Sequence, residues 1–199
     1  MPSSTSSRSP ERAFGSSPNA STAPSTLSLI LSEEGWKNVD ISSQSRILYS
    51  IRTVKKGNFV STKTVTSITR HRRQSETSTA DAPVAVIEWN KKGGTKITYK
   101  GVENELDSLL PRQEWHSREV QTLSGTWVWS ILGEEPPELL DNAGRCIASH
   151  RRNTRLFKKS LPNTLEIVPS ALDLLGLDMI IVGWVVMMRE AESQPPAYD

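Results

Sequence analysis

The stretch Leu172–Met188 constrains this chain's fold more than any other. Thirteen of its 17 residues are apolar, and they point in every direction rather than along one stripe. A segment apolar all round belongs inside a bilayer or inside a protein core. Asp173 and Asp178 split it, which leaves an uninterrupted run, Met179–Met188, of only ten residues. A bilayer span needs about 20. The run therefore reads as a central core segment, with no transmembrane span.

Its conformation follows from the pattern around it. Pro169 stops the strand before it, and Ser170 with Asp173 three residues on fits a capping box. Gly176 interrupts, and Asp178 caps a second helical piece ending near Arg189. Five β-branched residues in Met179–Met188 make a strand the alternative. An apolar run of this length without alternation suits a buried helix better. Leu177, Ile180, Ile181, Trp184 and Val185 are its expected core residues.

The rest of the chain alternates with period two. Leu27, Leu29 and Leu31 do so, as do Ile47, Tyr49 and Ile51. So do Val60 to Ile68, Val84 with Val86, Ile97 with Tyr99, Val120 to Leu123, Trp127 with Trp129, Cys146 with Ala148, and Leu165 with Ile167. Turn chemistry joins them at Val54–Asn58, Asn90–Gly94 and Asp141–Gly144. Residues 75–83 read as a polar loop, and Glu103–Leu110 is the one short helical candidate before the terminus. Short strands at even spacing, with no βαβ signal, describe an antiparallel sheet or barrel.

Both ends differ from this middle. Residues 1–26 are Ser/Thr-rich with four prolines and no apolar run, too polar to offset the entropy of ordering. Ser9-Pro10 and Ser17-Pro18 are candidate phosphorylation sites. Residues 191–199, with Pro195-Pro196, form a second tail. The domain is expected over 27–190. One cysteine and no signal pattern point to a reducing, cytoplasmic setting.

Catalytic chemistry is hard to assemble. The three histidines lie far apart, no phosphate loop is present, and Cys146 reads as a core residue. No enzyme activity, metal or cofactor is expected, and the six tryptophans read as structural, Trp89, Trp127 and Trp129 on strands and Trp184 on the terminal segment, with Trp36 and Trp115 in less defined contexts. Charge says more. Ile41–Ser75 holds eight basic residues and no acid, including Lys55, Lys56, Arg70, Arg72 and Arg73. Asn142–Leu165 holds six more without an acid, including Arg151, Arg152 and Arg155. Outside these windows, 10 basic residues face 22 acidic ones. Were the windows to meet, they would form a cationic surface suited to anionic lipid headgroups. No aromatic–basic stacking motif favours nucleic acid.

Several motifs also occur in a familiar order: Leu48-Tyr49-Ser50-Ile51, the β-branched strand ending near Arg70, Val86-Ile87-Glu88-Trp89, Leu109-Leu110-Pro111, Gly125-Thr126-Trp127-Val128-Trp129, Leu139-Leu140-Asp141 and the apolar terminus. In this order, over roughly Leu27–Glu190, the chain resembles a fungal family of unknown function related to the tubby C-terminal-like superfamily. That superfamily includes the phospholipid scramblases and the plant LURP-one-related proteins. The resemblance implies a closed antiparallel barrel of about twelve strands around one hydrophobic helix. In tubby proteins a basic pocket binds phosphoinositides. The palmitoylated cysteine cluster and the anchoring segment of scramblases have no counterpart here. The expected function is a non-enzymatic domain binding anionic membrane lipid, peripheral at the inner membrane surface. The alternative is a protein-interaction scaffold regulated by phosphorylation at Ser9 or Ser17.

Overall fold

The computed structural model describes residues 26–33, 35–57, 62–71, 83–90, 94–133, 135–152 and 162–193. The first half supplies β1 (Leu27–Leu31), β2 (Asn38–Ser43), β3 (Arg46–Gly57), β4 (Thr62–Arg70), β5 (Pro83–Trp89), β6 (Lys96–Tyr99) and β7 (Val102–Glu105). After a short helix, α1 (Leu106–Leu109), come β8 (Arg112–Glu114), β9 (Ser117–Thr122), β10 (Gly125–Ser130), β11 (Glu138–Leu140), β12 (Cys146–Arg151) and β13 (Thr164–Ile167). Two helices follow, α2 (Pro169–Leu174) and α3 (Leu177–Ala191).

The thirteen strands among the described residues form one antiparallel sheet, ordered β7-β6-β5-β4-β3-β2-β1-β13-β12-β11-β10-β9-β8. Nearly every neighbour in space is a neighbour in sequence, because two-residue and short hairpins favour that pairing. The exception is β1 with β13, where Leu27 pairs with Ile167 and Ile30 with Thr164, joining the two halves. The expected closed barrel of about twelve strands is corrected on closure: among the described residues the sheet has thirteen strands, and β7 and β8 stand at its two edges without pairing to each other. Both edges are short and charged, carrying Glu103, Glu105, Arg112 and Glu114. That composition discourages edge-to-edge pairing with another chain.

The sheet curls around α3. Nine consecutive residues, Ile180–Met188, are buried. Strands from both halves touch the helix: Tyr49 on β3 donates to Asp178 Oδ1 at 2.5 Å, and His150 on β12 lies edge-on to Trp184 at 5.7 Å. Gly183 packs against the Trp129 indole of β10 so closely that a Cβ there would sit 2.8 Å from its Cδ1. Glycine lets the helix axis approach that wall. Ile180, Ile181, Trp184 and Val185 are core residues as expected, whereas Leu177 is only half-buried. No helix among the described residues is long and apolar enough to cross a membrane.

Local details correct several expectations. Ser170 is not the N-cap of α2: Val168 is, with no side-chain cap, and Pro169 occupies the first turn, where its missing N–H costs nothing. Asp178 does not cap α3 either. Gly176 does, at φ 80°, a conformation that lets the chain reverse between the two helices. Within Glu103–Leu110 only Leu106–Leu109 is helical, since β7 takes the start. Val54–Gly57 is strand rather than turn. In β5 the residues facing the core are Ala85 and Ile87, one position off the Val84 and Val86 alternation. Leu123 sits on a hairpin tip, 92% exposed. Cys146 is exposed, because it opens β12 beyond the end of the core.

His150 gives the core a pH dependence. It is buried beside Trp184, and neither ring nitrogen has a hydrogen-bond partner among the described residues. Burial, reinforced by Arg152, lowers its pKa from the ordinary 6.5 to about 4. The folded state thus holds the ring neutral while the unfolded chain protonates it below pH 6.5. Stability is therefore complete above pH 6.5 and falls as pH drops towards 4, by a total of about 3 kcal/mol from this residue. Urea midpoints measured across that range should fall less steeply for His150→Phe. Parallel curves for the two proteins would show that His150 is not the source.

Candidate functional site

The unpaired edges leave a seam, and side chains close it. Leu106 N donates to Thr95 O and Glu119 N to Pro111 O, each at 2.8 Å, tying the ends of α1 to the flanking strands. Arg118 on β9, only 2% exposed, spans the gap. Its Nη1 donates to Asp107 Oδ1 at 2.8 Å and to Leu110 O at 2.6 Å. Its Nε and Nη2 donate to Glu190 Oε1 at 3.0 and 2.8 Å. Arg112 Nη2 reaches the same oxygen at 2.6 Å. Glu190 thus stands in the last turn of α3 with one oxygen accepting from two guanidiniums. Its Oε2 is buried and has no partner among the described residues.

Beside this network opens a cavity of about 360 Å³. One wall comes from the ends of β4, β5 and β6 through Thr62, Thr64, Trp89 and Thr95, and the other from Arg112, Trp115 and Arg118. The end of α3 supplies its floor with Arg189, Glu190 and Ser193. Arg189 Nη1 donates to Ser193 Oγ at 3.1 Å, and its carboxylate neighbour, Glu192, lies at 3.9 Å. A cation in the last helical turn also suits the negative end of the helix dipole. The ionisable lining is thus three arginines and one glutamate. Trp115, 60% exposed, stands at the mouth, whereas Trp36, Trp127, Trp129 and Trp184 are buried in the core. Arginines never deprotonate at ordinary pH, so this lining offers charge and hydrogen bonds to an anion rather than a proton relay. Among the described residues no His/Cys/Asp/Glu group could hold a metal ion.

The basic windows look different in space than in sequence. Their cations meet carboxylates from neighbouring elements: Arg52 with Asp40 at 2.6 Å, Lys63 with Glu88 at 2.7 Å, Arg70 with Asp178 at 3.4 Å and Arg151 with Glu166 at 3.4 Å. Arg70 and Arg151 are therefore paired charges. Lys55 and Lys56 are exposed and make no ion pair among the described residues, as does Arg152. Lys55 sits opposite Thr64, at the rim of the cavity, while Arg70 sits opposite Tyr49. Six residues of β3 separate the two positions, about 20 Å at 3.3 Å per residue. Three strands lie between β3 and β12, so the windows do not form one continuous patch on neighbouring strands. Arg72, Arg73, Arg155, Ser9 and Ser17 lie outside the described residues.

Sequence reasoning missed Arg112, Arg118, Arg189 and Glu190. They come from segments with mixed charge, where no acid-free window marks them. The one available signal was Trp115, flanked by Glu114 and His116 on a turn, a polar setting at odds with a core tryptophan.

No curated protein and no solved structure matches the chain. A family model does: it covers residues 35–193, from the loop before β2 to the turn after α3. The chain belongs to this family of unknown function, DUF6593.

Proposed function

We propose that this is a non-enzymatic binding domain whose ligand presents an anionic headgroup, that of a membrane phospholipid, to the cavity at the end of α3. The observation that carries the reading is the cavity lining, where Arg112, Arg118 and Arg189 gather with Glu190, while Asp107 and Glu192 pair two of the arginines from outside the lining. Arg112 and Arg189 would hold the headgroup, with Lys55 and Lys56 attracting the membrane from the rim. Arg118 is already committed to Asp107, Leu110 and Glu190, so its part is to hold the wall in place. An antiparallel sheet curled around an apolar helix supports a tubby-like relationship as part of the same reading. The site of action would then be the cytoplasmic face of a membrane.

Co-sedimentation with vesicles tests this. The protein should pellet with phosphatidylcholine vesicles carrying phosphatidylserine or a phosphoinositide, and less so as salt shortens the screening length from about 10 Å at 0.1 M to 3 Å at 1 M. Arg112→Gln with Arg189→Gln should weaken binding several-fold. Equal retention on pure phosphatidylcholine, absence of binding to any vesicle, or full binding by the double variant would overturn the reading.

A further inference from the structure

The turn joining β8 to β9 carries an apolar side chain into solvent, and the loop after β10 carries another beside it. Ser130 pairs with Ser117 at the end of the β9–β10 ladder, and one step further on Ile131 N donates to His116 O at 3.1 Å. Continued by one more residue, that register sets Leu132 opposite Trp115. Both are exposed, Leu132 at 62% and Trp115 at 60%. The His116 ring lies edge-on to Trp115 at 5.2 Å. We propose that Trp115 and Leu132 enter the interfacial layer of a phospholipid bilayer. This rests on the lipid reading above and deepens it: the cavity takes the headgroup, and the tip enters the membrane around it.

Position and chemistry favour a bilayer as the occupant. Trp115 belongs to the cavity lining together with Arg112 and Arg189, so a headgroup seated on those arginines brings the surrounding lipids to the indole. An indole combines a broad apolar face with one N–H, which is why tryptophan concentrates at membrane–water interfaces. Leu132 offers apolar surface alone and gains by leaving water. On the opposite wall of the cavity, Thr64 of β4 stands opposite Lys55 of β3. Lys55 and Lys56 are exposed cations, suited to an anionic lipid surface.

Acids on the tip decide what it contributes. Glu114 Oε2 lies 3.2 Å from His116 Nε2, and Glu135, exposed, donates its N–H to Leu132 O at 3.1 Å. An anionic surface repels both carboxylates. Attraction by charge therefore belongs to the lysines and arginines, and the tip supplies apolar burial. Two side chains bury less apolar surface than a myristoyl chain, which alone gives only marginal membrane binding. Insertion thus follows headgroup capture, and neutral vesicles should not retain the protein.

The test uses the full chain and vesicles of phosphatidylcholine brominated in its acyl chains, carrying phosphatidylserine and a phosphoinositide. Bromine quenches only indoles that come close to it. Wild-type fluorescence should fall relative to unbrominated vesicles with the same headgroups. Trp115→Phe should lose most of that quenching, since Trp36, Trp127, Trp129 and Trp184 are buried. In co-sedimentation, Trp115→Ala combined with Leu132→Ala should weaken binding by about tenfold, without moving the melting temperature. Wild-type protein that pellets without being quenched, quenching that survives in Trp115→Phe, or full binding by the double variant would overturn insertion and leave the headgroup reading standing. Failure of the wild type to pellet with either kind of vesicle would overturn both.

Discussion

Trp184→Asp should leave no folded domain. Trp184 is fully buried at the middle of the nine-residue buried stretch of α3. A carboxylate there would have sheet on every side and no cation in contact. Placing a charge in such a site costs several kcal/mol, or forces the group to take up a proton. The whole stability of an ordinary domain is only about 5–15 kcal/mol. Trp184→Phe is the informative control. The indole Nε1 has no hydrogen-bond partner among the described residues, so phenylalanine removes a buried unsatisfied donor while opening a modest void. The two effects oppose, and that variant should fold. Removing everything after Gly176 should act like the aspartate variant, because the sheet then has nothing to wrap. Expression without detergent and thermal melts monitored by circular dichroism decide the matter. A soluble truncation with a cooperative melt would mean that α3 is not the core.

Leu172–Met188 announced the interior because its chemistry allows few alternatives: too short for a bilayer and too apolar for solvent. The strands were legible for a similar reason, since alternation with period two is imposed by the pleat. What escaped were features decided between elements. The face of β5 was misjudged because Val84, Ala85, Val86 and Ile87 are apolar in succession, and only the pairing of Ile87 with Ile97 and Thr66 settles which side points inward. Seam geometry was equally hidden, since whether β7 meets β8 depends on the curl of the whole sheet.

The charge pattern shows the same limit in the candidate site. A stretch without acids is a statement about one strand, but the surface charge of a sheet is set by lateral neighbours. Asp40 lies beside Arg52 and Glu88 beside Lys63, 12 and 25 residues away in sequence. Cross-strand pairing therefore neutralised much of what looked like a basic face. The arginine-lined cavity instead draws on β8, β9 and α3, where no local excess of lysine and arginine marks it.

The seam supplies the second large effect. Arg118→Met should destabilise the domain by about 3–5 kcal/mol, because it removes one partner of a buried charge pair and leaves the other in place. Glu190, with a side chain 14% exposed, would keep only Arg112, and the Leu110 carbonyl would lose a donor now at 2.6 Å. Asp107 matters less, since its side chain is 74% exposed and water can replace the guanidinium. The cost should therefore reside in the coupling to Glu190 rather than to Asp107. A double-mutant cycle separates the two. Arg118→Met combined with Glu190→Leu should recover part of the loss, leaving less destabilisation than the single changes sum to. The cycle with Asp107→Ala should be close to additive. Urea midpoints supply the free energies. A single Arg118→Met variant that unfolds at the wild-type midpoint would show that the seam is held by backbone and apolar contacts alone. The cavity wall would then owe its position to the sheet rather than to the arginine.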